Sequence, residues 1–275
     1  MKVIKNNAHG YSFDPLRTCN FEDYEDRAND CIFFWGSQLP PEIHNDYGNT
    51  KKILLANEGR LKVVANYMPA LNENLHKFDK VLVWYPPELD ENRANKEYVF
   101  WPFNPQYTPE IEEKIYDVVY VGLASPYFIN DLIPSMTKFN YRYIAQGATG
   151  HNAHVITNFN VTYEEKLKLL AQTKCTIVHN LMDDNTPQLK SRAFEAAFSR
   201  SIILCLKDDY NILEKWFKPN KEFLYFSNKS ELEEIVEKIS KDYDSYKHIA
   251  DNAYKKASKN YTVEKFIEKY IGFKK

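Results

Sequence analysis

The chain has 275 residues, 44% of them hydrophobic and 27% charged, enough to bury a core without disulfide or metal staples and to divide into one large or two small domains. With 36 basic residues against 38 acidic ones the net charge is −2, which gives no support to a nucleic-acid partner. Cys19, Cys31, Cys175 and Cys205 form no C-x-x-C pair and have no histidine at metal-ligand spacing, so free thiols in a reducing compartment are expected and a metal site is not.

The opening MKVIKNNAHGYSFDP lacks an apolar signal core, and no stretch reaches the ~18 consecutive apolar residues of a membrane span. A cytoplasmic protein is expected. Short β-branched and aromatic runs then alternate with helical patterns, the mark of an α/β fold with parallel strands. The first half offers strands at Cys31–Trp35, Lys52–Ala56, Lys80–Tyr85 and Tyr98–Trp101, with a helix between Leu61 and His76. Pro102–Pro109 (PFNPQYTP) cannot be helix interior and reads as a linker. It separates an N-terminal domain over 1–105 from a C-terminal one over 106–275, whose last helix is free to pack back on the first.

The second half opens with a strand at Tyr116–Val121, Gly122, and a helical pattern to about Phe139, then a strand at Asn140–Ala145. Thr162 with Glu165 three residues on predicts a capping box at the head of a helix reaching Gln172. Strands come next at Cys175–His179, Ser201–Leu206 and Leu224–Phe226. Between the first two of these, Thr186 as cap and Pro187 at the first position predict a helix. Ser230 with Glu233 predicts another capped helix, and two more close the chain. Strand and helix repeated on both sides of a proline-rich joint predict two Rossmann-like domains facing across a cleft.

The chemistry concentrates in Asn185–Leu206, NTPQLKSRAFEAAFSRSIILCL. A helix from Thr186 puts Gln188, Arg192, Glu195 and Ser199 on one face, and Leu189, Ala193, Ala196 and Ala197 on a packing face. Lys190 and Arg192 then sit at the positive end of the helix dipole, where cations are unfavourable by roughly 0.3–1 kcal/mol each. A bound anion reverses that sign, so free N–H groups, a lysine and an arginine suit a diphosphate. Glu195, a turn further in, could accept from two ribose hydroxyls; equally, Arg192 and Glu195 could be a surface i,i+3 ion pair. Gly122 suits a turn where backbone approaches a ligand, or an ordinary tight turn. Asn180 and Met182–Asp184 lie past the carboxyl end of a strand, where open α/β sheets bind ligands; Asp183–Asp184 could touch a donor there but read rather as solvated. His151 and His154 lack a third metal ligand, and Asp242–Asp244 reads as solvent-facing.

From Tyr116 to Ile271 the chain resembles the nucleotide-sugar domain of the glycosyl transferases group 1 family, especially its spore-maturation-type branch. The resemblance is carried in order by YDVVYVG, EEKLKLLAQTKCTIVHN, LKSRAFEAAFSRSIILC, KEFLYFSNKSEL and YTVEKFIEKYI. It implies a GT-B fold, Glu195 on the donor ribose, and Lys190 and Arg192 on the diphosphate. Gln188 and Thr186, from the expected helix start, and Gly122 and Asn180, from the strand ends, are further candidates around the donor. Retaining relatives carry a second glutamate eight positions before the first, where this chain has Pro187, and a glycine after the helix, where it has Ser199–Arg200–Ser201. Retention or inversion therefore does not carry over.

The expected activity is transfer of a sugar from a nucleoside diphosphate sugar to a hydroxyl acceptor, a glycan or another small molecule, without metal or cofactor. An inverting enzyme needs a base near the acceptor, and the candidates are Glu58, His44 and Asp46. The rival expectations are a non-catalytic nucleotide- or sugar-binding module, a glucosyltransferase of modified DNA, and an epimerase or hydrolase of nucleotide sugars.

Overall fold

The structure, a computed structural model, describes residues 1–6, 15–36, 41–56, 74–86, 95–122, 132–145, 158–159, 161–180 and 187–275. Among them, two all-parallel sheets divide the chain. The first holds β1 (Lys2–Asn6), β2 (Ile32–Gly36), β3 (Lys52–Ala56), β4 (Lys80–Val83) and β5 (Lys96–Tyr98) in that spatial order. The second holds β6 (Tyr116–Val121), β7 (Tyr141–Ala145), β8 (Asn158–Phe159), β9 (Thr173–Val178), β10 (Ile202–Leu206) and β11 (Leu224–Phe226). Its order is β11-β10-β9-β6-β7-β8. From β6 the chain moves outward one way through β7 and β8, then returns to β6's other side as β9. At such a reversal, here beyond the carboxyl ends of β6 and β9, open parallel sheets form the crevice in which they bind ligands.

Continuous apolar runs such as Val118–Val121 and Ile202–Cys205 are buried throughout because helices cover both faces of this sheet. The helices are α1 (Ile133–Met136), α2 (Tyr163–Ala171), α3 (Ser191–Phe198), α4 (Lys229–Lys241), α5 (Tyr243–Asn260) and α6 (Val263–Tyr270). Side chains alternate by strand geometry. Val119, Val121, Ile203 and Cys205 pack with Ala193, Phe194, Ala196 and Ala197 of α3. Val118, Tyr120, Ile202 and Leu204 pack with Leu232, Val236 and Ile239 of α4 and with Ile249 of α5. The C-terminal helix lies against the first half. Phe266 meets Phe21 and Phe100 edge-on or tilted, at 5.9 and 5.6 Å between ring centres. The Asn29 N–H donates to Gly272 O at 2.8 Å, and Phe273 bridges antiparallel to Ala28.

Most of the expected strands appear, some shifted by a residue or two, and β5 begins at Lys96 rather than Tyr98. Two short strands, β1 and β8, are additional to those expected. The Thr162–Glu165 capping box is present in both directions, at 3.2 and 2.7 Å. Helix α4 begins two residues earlier than Ser230 implies. Asn228 caps it, accepting from Glu231 N at 3.0 Å, while Glu231 accepts from Ser227 N at 2.7 Å. Asn228–Glu231 and Ser230–Glu233 are overlapping cap patterns, and the first one forms. Of the helix expected over Leu61–His76, only a 3-10 turn at Leu75–Lys77 is described, and 61–73 lie outside the described residues. All four cysteines are buried thiols outside any disulfide. No helix among the described residues is long and apolar enough to cross a membrane.

At the amino ends of the second sheet, Lys114 Nζ donates to the carbonyls of Ala171, Thr173 and Arg200 at 2.6, 3.1 and 2.8 Å. It thereby ties the approach to β6 to the end of α2, the start of β9 and the approach to β10. Burial is the main cause pulling this ammonium down to about 8. The unfolded chain therefore binds one more proton than the folded one between about pH 8 and the ordinary lysine range near ~10.4, so Lys114 makes stability rise with pH across that window. The urea midpoint of the wild type is expected to rise from pH 8 to pH 9.5 relative to that of Lys114→Met. Parallel midpoints for the two proteins would contradict the assignment.

Candidate functional site

The residues just past β6 and β9 border the crevice. Gly122 comes directly after β6, with φ +123°, a conformation that strains any residue with a Cβ. Its own N–H donates to Ile144 O at 2.9 Å, so the position does not offer that N–H to a ligand. It is Arg192 that needs the missing Cβ. A Cβ at Gly122 would lie 2.2 Å from Arg192 Nη2 and 2.8 Å from Cζ. The guanidinium also lies over the Tyr120 ring, its Cζ 5.2 Å from the ring centre. Tyr120 Oη is 3.0 Å from His179 Nε2, which joins the last turns of β6 and β9. Arg192 Nη1 is buried without a hydrogen-bond partner among the described residues. A buried cationic donor left so is costly unless an anion meets it.

Arg192 is the second residue of α3. The expected helix start at Thr186–Pro187 does not form: α3 begins at Ser191 with Lys190 as its cap residue, and Thr186 lies outside the described residues. Pro187–Lys190 is instead an extended strap, because its backbone groups find partners off the helix. The Gln188 and Lys190 N–H groups donate to Asn180, to its O at 2.6 Å and its Oδ1 at 3.3 Å. Leu189 N donates to Trp84 O at 2.6 Å, and Trp101 Nε1 donates to Leu189 O at 2.7 Å. Gln188 is thus off the helix face assigned to it, and its side chain accepts from Lys190 Nζ. Asn180, also expected at the donor, is a clamp: besides holding the strap, its Nδ2 donates to Cys205 Sγ at 3.4 Å. Lys190 makes no side-chain cap, so it does not take up the free N–H groups of the first turn of α3.

Glu195 is nearly enclosed, at 2% exposure, and forms an ion pair at 2.8 Å with Lys166 of α2, itself 2% exposed. No Arg192–Glu195 ion pair occurs, since the two side chains leave α3 in different directions. Tyr163 hydrogen-bonds to Glu195 and to Thr18 of the first half, and burial followed by the Glu195 charge holds its phenol well above the usual range. Breaking a buried pair on one side strands the other charge and costs about 3–5 kcal/mol, whereas replacing both partners by apolar groups is often neutral. Glu195→Gln is therefore expected to lose about that much in urea unfolding, and Lys166→Met/Glu195→Leu to recover most of it. A single variant within about 1 kcal/mol of wild type would speak against the pair.

The remaining candidates lie elsewhere. His44 ends a 3-10 turn at Pro41–His44 with its Nδ1 3.1 Å from Lys77 Nζ, and Asp46 accepts from Gly48 N at 2.8 Å, both on the surface. Glu58, His151, His154 and Asp183–Asp184 fall outside the described residues. Asp242 caps α5 and Asp244 pairs with Lys247 at 2.7 Å, as solvent-facing residues do. No group of three or more potential metal ligands occurs among the described residues. Gly122, Asn180, Gln188, Lys190 and Arg192 are brought together. Tyr120, His179, Trp84 and Trp101 complete their surroundings, and Lys166 pairs with Glu195 apart from them; sequence reasoning misses all five, and a histidine ending a buried strand is the one visible signal. Gly122→Ala is expected to lower stability by about 1–3 kcal/mol through its positive φ and to expel the guanidinium. An unchanged unfolding midpoint would show that neither constraint holds.

Residues 131–272 match the model of a family described as glycosyl transferase-like. No curated protein sequence matches the chain. Among solved structures, TarM of S. aureus superposes with a TM-score of 0.62 at 13% identity, over 90% of this chain and 56% of that one. HepE of Anabaena in complex with UDP gives 0.61 at 11% identity, over 90% and 78%. An α-glucosyltransferase in complex with UDP and a 13-mer DNA containing an HMU base gives 0.58 at 9% identity, over 86% and 76%. These likenesses show the fold, two parallel α/β sheets of the GT-B kind. The chain spans little more than half the length of TarM.

Proposed function

The chain belongs to the glycosyl transferase-like family, and from that premise we propose that it transfers a sugar from a nucleoside diphosphate sugar to a hydroxyl acceptor. The observation that carries this reading is the Arg192 guanidinium. It is seated on Gly122 at the reversal of strand order, with a buried and unpartnered Nη1 among the described residues. It stands in the first turn of α3, where N–H groups point the same positive potential at a ligand. A guanidinium there meets diphosphate oxygens with paired N–H bonds and stabilises the charge that grows on the leaving group. Lys190 adds a second cation. Together they do the work of a divalent ion elsewhere, so the reaction is proposed to run without metal. HepE, of like fold, is described in complex with UDP-glucose, which supports a uridine nucleotide as the first donor to test.

In this reading residues 106–275 hold the donor and 1–105 present the acceptor. Glu58 is the proposed base, since it lies two residues beyond β3, and ligand groups in such sheets stand past the carboxyl ends of strands. A second reading, transfer to a hydroxyl on a DNA base, is favoured by the DNA-bound α-glucosyltransferase neighbour and opposed by the net charge of −2. It predicts acceptor binding that weakens steeply with salt.

The test is release of nucleoside diphosphate by purified protein from a panel of UDP-, GDP- and ADP-sugars, with glycan and DNA acceptors. Arg192→Ala is expected to lower turnover by about 10²-fold or more, with EDTA leaving the wild type unchanged. Turnover at the wild-type rate in Arg192→Ala would remove the site from the reaction.

A further inference from the structure

The strap that leads into α3 is held from two directions. On one side stands Asn180 of the second sheet, and on the other two tryptophans of the first half. Trp84 comes directly after β4, and Trp101 lies three residues past β5. Their rings are stacked at 3.6 Å between centres and 6° between planes, and both are buried. The stack fixes Trp101 so that its only polar side-chain atom points at Leu189 O, 2.7 Å away. Trp84 O receives Leu189 N at 2.6 Å. Leu189 is fully buried, so neither of its backbone groups has water as an alternative partner. One residue further is Lys190, and three further is Arg192.

Resting on the reading of Arg192 as the diphosphate ligand, we propose that Trp101 is a positioning residue for the donor site. Its indole N–H fixes the strap, and through it the start of α3, in the register that seats Arg192 on Gly122. The first half of the chain thus helps to set donor affinity through the Trp84–Trp101 stack, without touching the nucleotide. Trp101→Phe keeps a ring for the stack and removes the N–H, leaving Leu189 O buried and unpaired. Trp216→Phe is the matched control. Trp216 is another buried indole, packed against Tyr98 and Phe100, but its Nε1 has no hydrogen-bond partner among the described residues.

The test measures binding of UDP, GDP and ADP by calorimetry to the full chain, wild type and variants, with folding checked by circular dichroism. For the nucleotide that the wild type binds most tightly, Trp101→Phe is expected to weaken affinity roughly tenfold, the size of effect a lost buried hydrogen bond carries. Trp216→Phe is expected to leave it unchanged, and Arg192→Ala to abolish it. A purely structural Trp101 predicts lower unfolding midpoints for Trp101→Phe and Trp216→Phe with affinity intact in both, and that result overturns the proposal. If Arg192→Ala binds as the wild type does, or no nucleotide binds the wild type, the donor-site reading fails and the proposal falls with it. If Arg192→Ala loses binding and Trp101→Phe does not, the positioning role alone fails. Should Trp101→Phe not fold, the indole ¹⁵N–¹H spectrum of the wild type decides. With Trp35, Trp84 and Trp216 assigned by their own Phe variants, the fourth resonance is that of Trp101; added nucleotide is expected to shift it and to leave those of Trp35 and Trp216 in place. A Trp101 resonance unmoved at saturation overturns the proposal.

Discussion

The candidate site depends on the hydrogen bonds that keep Pro187–Lys190 extended. A proline after a threonine and before helix-forming residues is a strong helix start, and left to local preference the turn at 187–190 would wind up. Four partners outweigh that preference: Asn180 O, Asn180 Oδ1, Trp84 O and the Trp101 indole. They take the backbone N–H groups of residues 188 to 190 and one carbonyl, in the alternating directions of a strand. Delaying the helix by several residues moves Arg192 from the second turn to the first. Only there can a long side chain curl back over the end of β6.

The second constraint is the absence of a side chain at residue 122. The guanidinium needs a flat place against the backbone at the carboxyl end of β6, and a methyl group would occupy it. The crevice between β6 and β9 therefore holds a cation supplied by α3, with Tyr120 beneath it and His179 beside Tyr120. Electrostatic potential and topology coincide: the sheet opens at the point where the first turn of a helix and an arginine both present N–H groups.

Much of the second sheet is legible in the sequence because its strands are buried on both faces and read as uninterrupted apolar runs, as in Val118–Val121 and Ile202–Cys205. The capping box at Thr162 is legible for a different reason, since both of its partners lie within one turn. Features that depend on distant contacts are not. The delayed start of α3 is set by Trp84 and Trp101, the latter 88 residues away in the chain. The partner of Glu195 is Lys166, 29 residues earlier, and helical spacing points to Arg192 instead. Gly122 does mark a place of close approach, but the group that approaches is a side chain from α3. Short edge strands such as β1 and β8 carry too little pattern to be recognised alone.

The buried ion pair bears on how Glu195 could meet a ribose. A neutral sugar cannot replace Glu195 as the counter-charge of Lys166, so a carboxylate that turned away from Lys166 toward hydroxyls would strand an ammonium in the core, at a cost of several kcal/mol. The carboxylate need not turn. It has about four acceptor directions, of which Lys166 and Tyr163 occupy two. The ribose reading is compatible with the structure when the hydroxyl pair joins the existing contacts and the atoms that enclose Glu195 yield. In the proposed site Lys166 would orient the carboxylate while Arg192 met the phosphates, with less than one helical turn between the two ends of the nucleotide's grip. Affinity for the pentose and stability of the fold would be read from the same side chain. A loss of donor binding on changing Glu195 is therefore informative only when set against the unfolding of the same variant.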